Sequence, residues 1–221
     1  KNANTNAASQ LVKANETIAT REQSIKSLED EISSLQQTVA DAQTETSSAG
    51  EKNTSYEALL NAYVAYAAKE NVRIVNPYFV PTSSIRKALN YALEKGTKVE
   101  IMISSKADIP FTPDASLYKV HKLMKRGADI YLYNGGFHHS KIMMVDESFC
   151  TVGTANLNSR SLRYDYETNA FIFDKEFTAQ LDSVFEADTQ HCTKLTPEIW
   201  KKRSPWKKFV GWFANLFTPF L

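Results

Sequence analysis

The sequence has few of the features that cross-link a chain or anchor it in a membrane. Its 221 residues include only two cysteines, Cys150 and Cys192, which lie far apart. Such a pair predicts neither a disulfide framework nor a zinc cluster, and it favours a reducing compartment. No run of about 18 apolar residues occurs, so no segment is predicted to cross a membrane as a helix.

Net charge is also nearly absent. The chain carries 26 lysines and arginines against 25 acidic residues, a formal net charge of +1. Because nonspecific nucleic-acid binding depends on a strongly basic field, we predict no nucleic-acid partner. The hydrophobic content of 43% suffices for one domain with a core but is marginal for two.

The first fifty residues contain no proline and no aromatic residue, and their only glycine is Gly50. Apolar residues recur at every seventh position: Leu11, Ile18, Ile25, Ile32 and Val39. This spacing predicts a coiled-coil-like helix and linker over residues 1–50, with parallel self-association. A long amphipathic helix docked on its own domain is the alternative.

Residues 54–195 alternate between short strand patterns and amphipathic helix patterns, and a hairpin follows the third strand. This order predicts an α/β domain with a mixed β-sheet flanked by helices. Residues 196–221 begin with a capping threonine and a proline, and they form a separate amphipathic C-terminal segment.

The hairpin carries an unusual set of polar residues in the stretch HHSKIMMVDESFCTVGTANLNSRS, residues 138–161. They fit H-x-K-x4-D followed by G-[ST]-x-N: His139, Lys141, Asp146, Gly153, Thr154 and Asn156. Residues two apart on a strand share a face, so His139 and Lys141 should point the same way. Two basic groups are costly to bury without an anion, and a phosphate would supply one.

These residue types suit covalent chemistry on phosphorus. A neutral imidazole can attack phosphorus and hold the phosphoryl group, provided that an acidic partner orients it. Glu167 is the candidate orienting residue for His139, and the Asn156 amide is a donor for a phosphate oxygen. Gly153 and Thr154 would let the backbone approach the phosphate closely. A hairpin with a simply solvated polar face is the alternative.

The stretch resembles the HKD motif of the phospholipase D superfamily, and its context is similar to the C-terminal catalytic half of a bacterial cardiolipin synthase. Six segments carry the resemblance: NPYFVPT (76–82), ALNYALEKGTKVEIMIS (88–104), GGFHHSK (135–141), VGTANLNSRS (152–161), YETNAFIFD (166–174) and the terminal TPFL (218–221). The similarity covers about residues 55–221 and excludes the predicted coil. It implies a phospholipase D-like domain.

The resemblance also implies roles for the motif residues. His139 would form a phosphohistidine or act as the paired acid–base histidine, while Lys141 and Asn156 would bind the phosphate. Glu167 would orient His139, and Asp146 would hold the motif's loops together. The family uses neither metal nor cofactor for this step. Its synthases pass the phosphatidyl group of one phosphatidylglycerol to the hydroxyl of another, whereas its hydrolases use water.

Family members need two such motifs, and this sequence contains one. His121 and His191 are not followed by a lysine two residues later, so they are predicted to be packed or surface histidines. His138 should face the other side of the strand from His139. We therefore predict either a homodimer that shares one site or a missing N-terminal catalytic half.

The C-terminal segment PWKKFVGWFANLFTPFL combines many aromatic residues with a basic flank. This composition predicts contact with the surface of an anionic membrane, although a helix that closes the core is the alternative. The expected location is the cytoplasmic face of a bacterial cell membrane, with an upstream anchor as a further expectation. The substrate would be phosphatidylglycerol or another anionic phospholipid.

The predicted function is cardiolipin synthesis by phosphatidyl transfer. A phospholipase D-type phosphodiesterase or nuclease is the first alternative, although a nuclease should be basic and lack the apolar tail. A non-catalytic coiled-coil adaptor carrying an isolated half-domain is the second alternative.

Overall fold

The computed structural model describes residues 56–106 and 112–216, together with Gln23 and Lys26. The chain divides into two units, Lys1–Ser48 and Ala49–Leu221. Gln23 and Lys26 are helical and exposed, whereas the rest of the predicted coil at residues 1–50 lies outside the described residues. The strands and helices named below all belong to the second unit.

A seven-stranded mixed sheet forms the centre of the second unit. Its strands are β1 (Asn71–Val75), β2 (Lys98–Ser104), β3 (Asp129–Tyr133), β4 (Ile142–Val145), β5 (Phe149–Gly153), β6 (Asn169–Ile172) and β7 (Cys192–Lys194). Their spatial order is β6-β5-β4-β1-β2-β3-β7. Strands β1, β2 and β3 are parallel, and every other neighbouring pair is antiparallel. The predicted mixed α/β architecture is confirmed.

Six helices accompany the sheet in the described part of the chain. Helix α1 is described over residues 56–62 and continues as a π-helical turn, Tyr63–Ala67. The others are α2 (Ser83–Glu94), α3 (Thr112–Met124), α4 (Lys175–Thr189), α5 (Pro197–Lys202) and α6 (Pro205–Ala214). Among the described residues, no helix combines the length and the hydropathy needed to span a bilayer.

Local sequence rules explain where several helices begin and end. The side chains of Thr82, Asp174 and Thr196 cap α2, α4 and α5 by accepting a backbone N–H from the first turn. After α2 and α3 the chain turns through Gly96 (φ 92°) and Gly127 (φ 105°), a backbone conformation that favours glycine.

Helices cover both faces of the sheet, each over its own apolar cluster. On one face, α1, α2 and α3 pack over fully buried side chains such as Leu60, Ile74 and Ile101. On the other face, α4 packs Phe185 against Met102 and neighbouring residues of the sheet. Two-sided coverage of this kind buries the central parallel strands.

The C-terminal segment forms two short helices that pack along α3. The ring of Trp200 in α5 stacks on the ring of His121 with centroids 3.8 Å apart. The guanidinium of Arg203 pairs with the carboxylate of Asp114 in the first turn of α3. Strand β7 was not predicted, because three partly polar residues give no period-two signal without their partner β3.

Candidate active site

One end of the sheet gathers most of the polar residues singled out in the sequence. Val75 at the end of β1 pairs with Ile142 at the start of β4, so the segment leading into β4 meets the carboxyl ends of β1 and β2. We call this edge the catalytic end, because residues for which the family resemblance implies a catalytic role lie there. In open α/β sheets, ligands bind beyond the carboxyl ends of the parallel strands.

His139 lies just before β4 at the catalytic end, and its side chain is exposed. Its ring centroid lies 5.1 Å from that of Phe137 and 6.1 Å from that of Tyr78, which meets it edge-on. Its backbone carbonyl accepts a hydrogen bond of 2.8 Å from Lys141 Nζ. The ammonium is therefore held close to the segment that carries the imidazole.

Lys141 is buried, although it too precedes the first residue of β4. It lines a pocket of about 10 Å³ with Tyr56, Asn76 and Thr151. That space suits about one water molecule. Strand β4 therefore begins after both residues, although the sequence predicted that it would include them. His139 is exposed, whereas Lys141 is enclosed.

His138 anchors the same segment to the α4 side of the sheet. Its Nε2 lies 3.0 Å from Asp188 Oδ2, and its backbone N–H donates to Ser104 Oγ at 3.2 Å. The edge of its ring packs on Tyr133 with centroids 4.7 Å apart. His138 and Lys141 therefore lie on opposite sides of the chain, as strand alternation predicts.

The G-[ST]-x-N element follows β5 at the catalytic end. A Cβ on Gly153 would lie 2.2 Å from Asn169 Oδ1 and 2.3 Å from the carbonyl oxygen of Thr168, so only glycine fits without a shift. Thr154 Oγ1 accepts the backbone N–H of Thr168 at 2.9 Å. Asn156 is half-buried, and its Oδ1 accepts no hydrogen bond from the residues the structure describes.

Glu167 is half-buried two residues before β6. Burial raises the pKa of Tyr56 to about 12, and the nearby Glu167 carboxylate adds to the increase. Tyr56 therefore stays protonated and can donate a hydrogen bond. Tyr56 also lines the Lys141 pocket, so this phenol neighbours both Lys141 and Glu167.

Asp146 lies at the opposite end of β4, about 13 Å from Ile142 along the strand at the usual rise per residue. Its carboxylate accepts the backbone N–H groups of Lys69, Glu70 and Asn71 at 2.6, 2.8 and 2.8 Å. It occupies the hairpin turn at φ 49°, in the left-handed region. These contacts join the β4–β5 turn to the start of β1.

The other two histidines lie outside the motif. His121 is buried at the far end of α3, and burial together with neighbouring lysines lowers its pKa to about 4. His191 is exposed next to β7 and packs edge-on against Tyr133. Within residues 56–106 and 112–216, no group of three or more His, Cys, Asp or Glu residues could hold a metal ion.

Sequence reasoning missed two polar neighbours of Lys141. Asn76 is nearly inaccessible, and its Oδ1 has no hydrogen-bond partner among the described residues. A polar residue directly after a buried strand was the available signal for Asn76. Tyr56 had no comparable signal, because tertiary packing alone brings α1 to the pocket.

The model of the family described as "Cardiolipin synthase, PLD-like domain" matches residues 65–189, more than half of the chain. The chain belongs to this family. A cardiolipin synthase from Listeria monocytogenes is 36% identical over 171 residues, which cover 76% of this chain and 36% of that protein. The chain thus spans little more than a third of the length of this relative.

Two solved structures show the same fold at low sequence identity. A phospholipase D family member, Nuc from Salmonella typhimurium, aligns with a TM-score of 0.54 at 17% identity, over 62% of this chain and 89% of that one. Phosphatidylserine synthase from Haemophilus influenzae aligns with a TM-score of 0.55 at 20% identity, over 72% of this chain and 43% of that one. The predicted phospholipase D-like fold is confirmed.

Proposed function

We propose that this chain provides one catalytic half of a phosphatidyltransferase that makes cardiolipin from phosphatidylglycerol. The observation that carries the proposal is the exposed His139 beside the enclosed Lys141 at the catalytic end of a cardiolipin synthase-family domain. The 36% identity to cardiolipin synthases supports the choice of substrate.

The reaction would proceed in two displacements at phosphorus. A ring nitrogen of His139 attacks the phosphorus of one phosphatidylglycerol, the bond from phosphorus to the glycerol oxygen breaks, and glycerol leaves with a proton from a second histidine. The hydroxyl of a second phosphatidylglycerol then gives its proton to that histidine while its oxygen attacks phosphorus. The phosphorus–nitrogen bond breaks and frees His139.

The surrounding residues would stabilise charge and hold geometry. Lys141 supplies a positive charge to the phosphate oxygens, and its hydrogen bond to the His139 carbonyl fixes its position. Asn156 supplies the amide donor, on a segment that Thr154 ties to Thr168. Glu167 would orient the His139 ring, and its carboxylate lies near Tyr56, which lines the Lys141 pocket.

The second histidine would come from another copy of the chain or from a missing N-terminal catalytic half. The 36% coverage of the Listeria monocytogenes synthase suits a half-enzyme. His121 is a poor substitute, because it is buried in a stack with Trp200. The proposed partners are an anionic phospholipid and the cytoplasmic face of a bacterial membrane, and near-zero net charge supports the absence of nucleic acid.

The test follows glycerol release and lipid products when the 221-residue chain meets phosphatidylglycerol vesicles. We expect His139→Asn to lower turnover by at least about 10³-fold, because the nucleophile is gone. His191→Asn is the matched control at the same end of the sheet and should retain turnover. Alkaline quenching should trap His139 bonded to the phosphatidyl phosphorus in the parent chain and no such adduct in the variant.

Two readouts locate the second histidine and the acceptor. Specific activity that rises with protein concentration supports a shared homodimeric site, and activity that needs the N-terminal half of the Listeria monocytogenes synthase supports a missing half. Phosphatidic acid as the sole product would indicate hydrolysis instead of transfer. Full turnover by the His139→Asn variant would refute the assignment.

A further inference from the structure

Helix α6 turns its bulky side away from the domain. Trp206 is 70% exposed and Leu216 is 58% exposed. Three more large apolar side chains are about half exposed on the same segment: Phe209, Trp212 and Phe213. Spacings of three and four residues place these five side chains on one stripe of α6 and of the helical turn that follows it, residues 215–216.

The opposite side of α6 is the side that packs. A Cβ on Gly211 would lie 2.6 Å from the carbonyl oxygen of Asp114, so the helix approaches α3 closely there. Asn215 Nδ2 reaches the carbonyl oxygen of Ala115 at 3.5 Å. The domain therefore packs against the side of α6 that carries small residues and leaves the large apolar side chains exposed. An ordinary surface helix packs its apolar side against the domain instead.

The charged residues of the segment that carries this stripe have one sign. Residues 199–216 contain no acidic residue and five basic ones: Lys201, Lys202, Arg203, Lys207 and Lys208. Arg203 is paired with Asp114 of α3, whereas Lys201, Lys202 and Lys207 are exposed. Exposed tryptophan and phenylalanine flanked by lysine are typical of helices in the headgroup region of anionic membranes.

The dimensions of α6 decide how it can meet a bilayer. Its 10 residues extend about 15 Å, half the thickness of a hydrocarbon core of about 30 Å. A helix of this length, bound to α3 along one side, can lie in the plane of the interface but cannot cross it.

The stripe also lies near the catalytic end of the sheet. Helix α3 returns the chain from the carboxyl end of β2 to the start of β3, so its first turn lies where β2 ends. Gly211 and Asn215 contact that first turn, at Asp114 and Ala115. Ser104, the last residue of β2, bonds to His138 beside His139.

We infer that the outward stripe of α6, Trp206 to Leu216, docks flat on an anionic lipid surface and so brings the catalytic end to the headgroups. The choice of lipid rests on the proposed function, whereas the docking face rests on α6 itself. Charge complementarity and the one-sided aromatic stripe favour a bilayer over a second protein.

The experiment measures co-sedimentation of the full chain with vesicles of phosphatidylglycerol or of phosphatidylcholine. We expect W206Q/W212Q to weaken binding to phosphatidylglycerol vesicles about tenfold or more, because it removes exposed apolar area. K202Q and K207Q should each weaken it roughly fivefold. The control is Y66Q/Y164Q, which changes two exposed aromatic residues outside α6 and should bind normally.

Quenching by brominated lipids adds a site-specific readout. Trp206 and Trp212 should be quenched, whereas Trp200, stacked on His121, should not. Unchanged vesicle binding by W206Q/W212Q would overturn the inference, as would a dimer that dissociates in this variant while vesicle binding persists. Failure of the proposed function is separable, because His139→Asn should still bind vesicles and W206Q/W212Q should still act on dispersed short-chain phosphatidylglycerol.

Discussion

The two ends of strand β4 carry different residues of one sequence motif. These residues differ in exposure and in hydrogen bonding. At one end, His139 is exposed and Asn156 Oδ1 accepts no hydrogen bond from the described residues. At the other end, the Asp146 carboxylate accepts three backbone N–H groups. Residues of one motif thus need not share a role, since exposure suits a residue that meets a ligand and satisfied hydrogen bonding suits a residue that holds the fold.

Gly153→Ala should have the largest effect on stability. It tests how closely β5 approaches β6 at the catalytic end. The added Cβ would meet Asn169 Oδ1 and the carbonyl of Thr168, so β6 must move. We expect the free energy of unfolding to fall by about 3 kcal/mol, measured by chemical denaturation.

A second glycine separates this effect from the general cost of adding a methyl group. The three atoms nearest to the Cβ of a Gly135→Ala variant all belong to the outer part of the Tyr133 side chain, which can shift more easily than backbone. This variant should lose clearly less stability than Gly153→Ala. Equal losses in the two variants would contradict the close approach of β5 to β6.

Asp146→Asn should sharpen the contrast between the two ends of β4. The amide keeps the size of the side chain and tolerates the left-handed turn, but it has one acceptor oxygen and no charge. We expect unfolding free energy to fall by about 2 kcal/mol, while turnover per folded molecule stays unchanged.

Glu147→Gln is the matched control for Asp146→Asn. Glu147 occupies the same turn at φ 51° and is exposed, so its loss of charge should change stability by less than about 0.5 kcal/mol. A loss of turnover in Asp146→Asn without a loss of stability would show that this carboxylate serves the reaction.

His121 gives the smallest effect, again far from the catalytic end. Its pKa is lowered to about 4 in the fold by burial, from about 6.5 in an unfolded chain. Between these values the unfolded chain binds a proton that the folded chain does not. Stability should therefore fall as pH decreases from about 6.5 to about 4.

His121→Phe keeps a ring against Trp200 and removes the titrating group. Its melting temperature should fall less than that of the parent chain on acidification, by on the order of 2–4 °C. Thermal unfolding at pH 7 and pH 5 measures the difference. Parallel pH profiles for the two proteins would refute a role for His121 in acid sensitivity.

Sequence predicted the elements that local chemistry determines. Thr82 and Asp174 cap α2 and α4 because their side chains satisfy the first free N–H groups of each helix. Strand β3, Asp129–Tyr133, occupies one of the short strand patterns within residues 54–195. The motif residues from His139 to Glu167 could also be named in advance, although their roles remain proposals.

What sequence missed depends on contacts across the fold. Strand β7 exists because Lys194 and its neighbours find β3, more than fifty residues earlier in the chain. Strand β4 starts at Ile142 because the preceding segment is held by Ser104 and Asp188, which a period-two pattern does not reveal. Tyr56 and Asn76 reach Lys141 for the same long-range reason.

The one-sided exposure of α6 has a practical consequence for handling the protein. In dilute aqueous buffer, the rings of Trp206, Phe209 and Phe213 contact water and gain free energy by clustering with those of other molecules. Preparations without detergent should scatter light increasingly as they are concentrated, and mild surfactant should reverse this. Assays that use adsorbing plastic or omit surfactant would then underestimate the amount of active material.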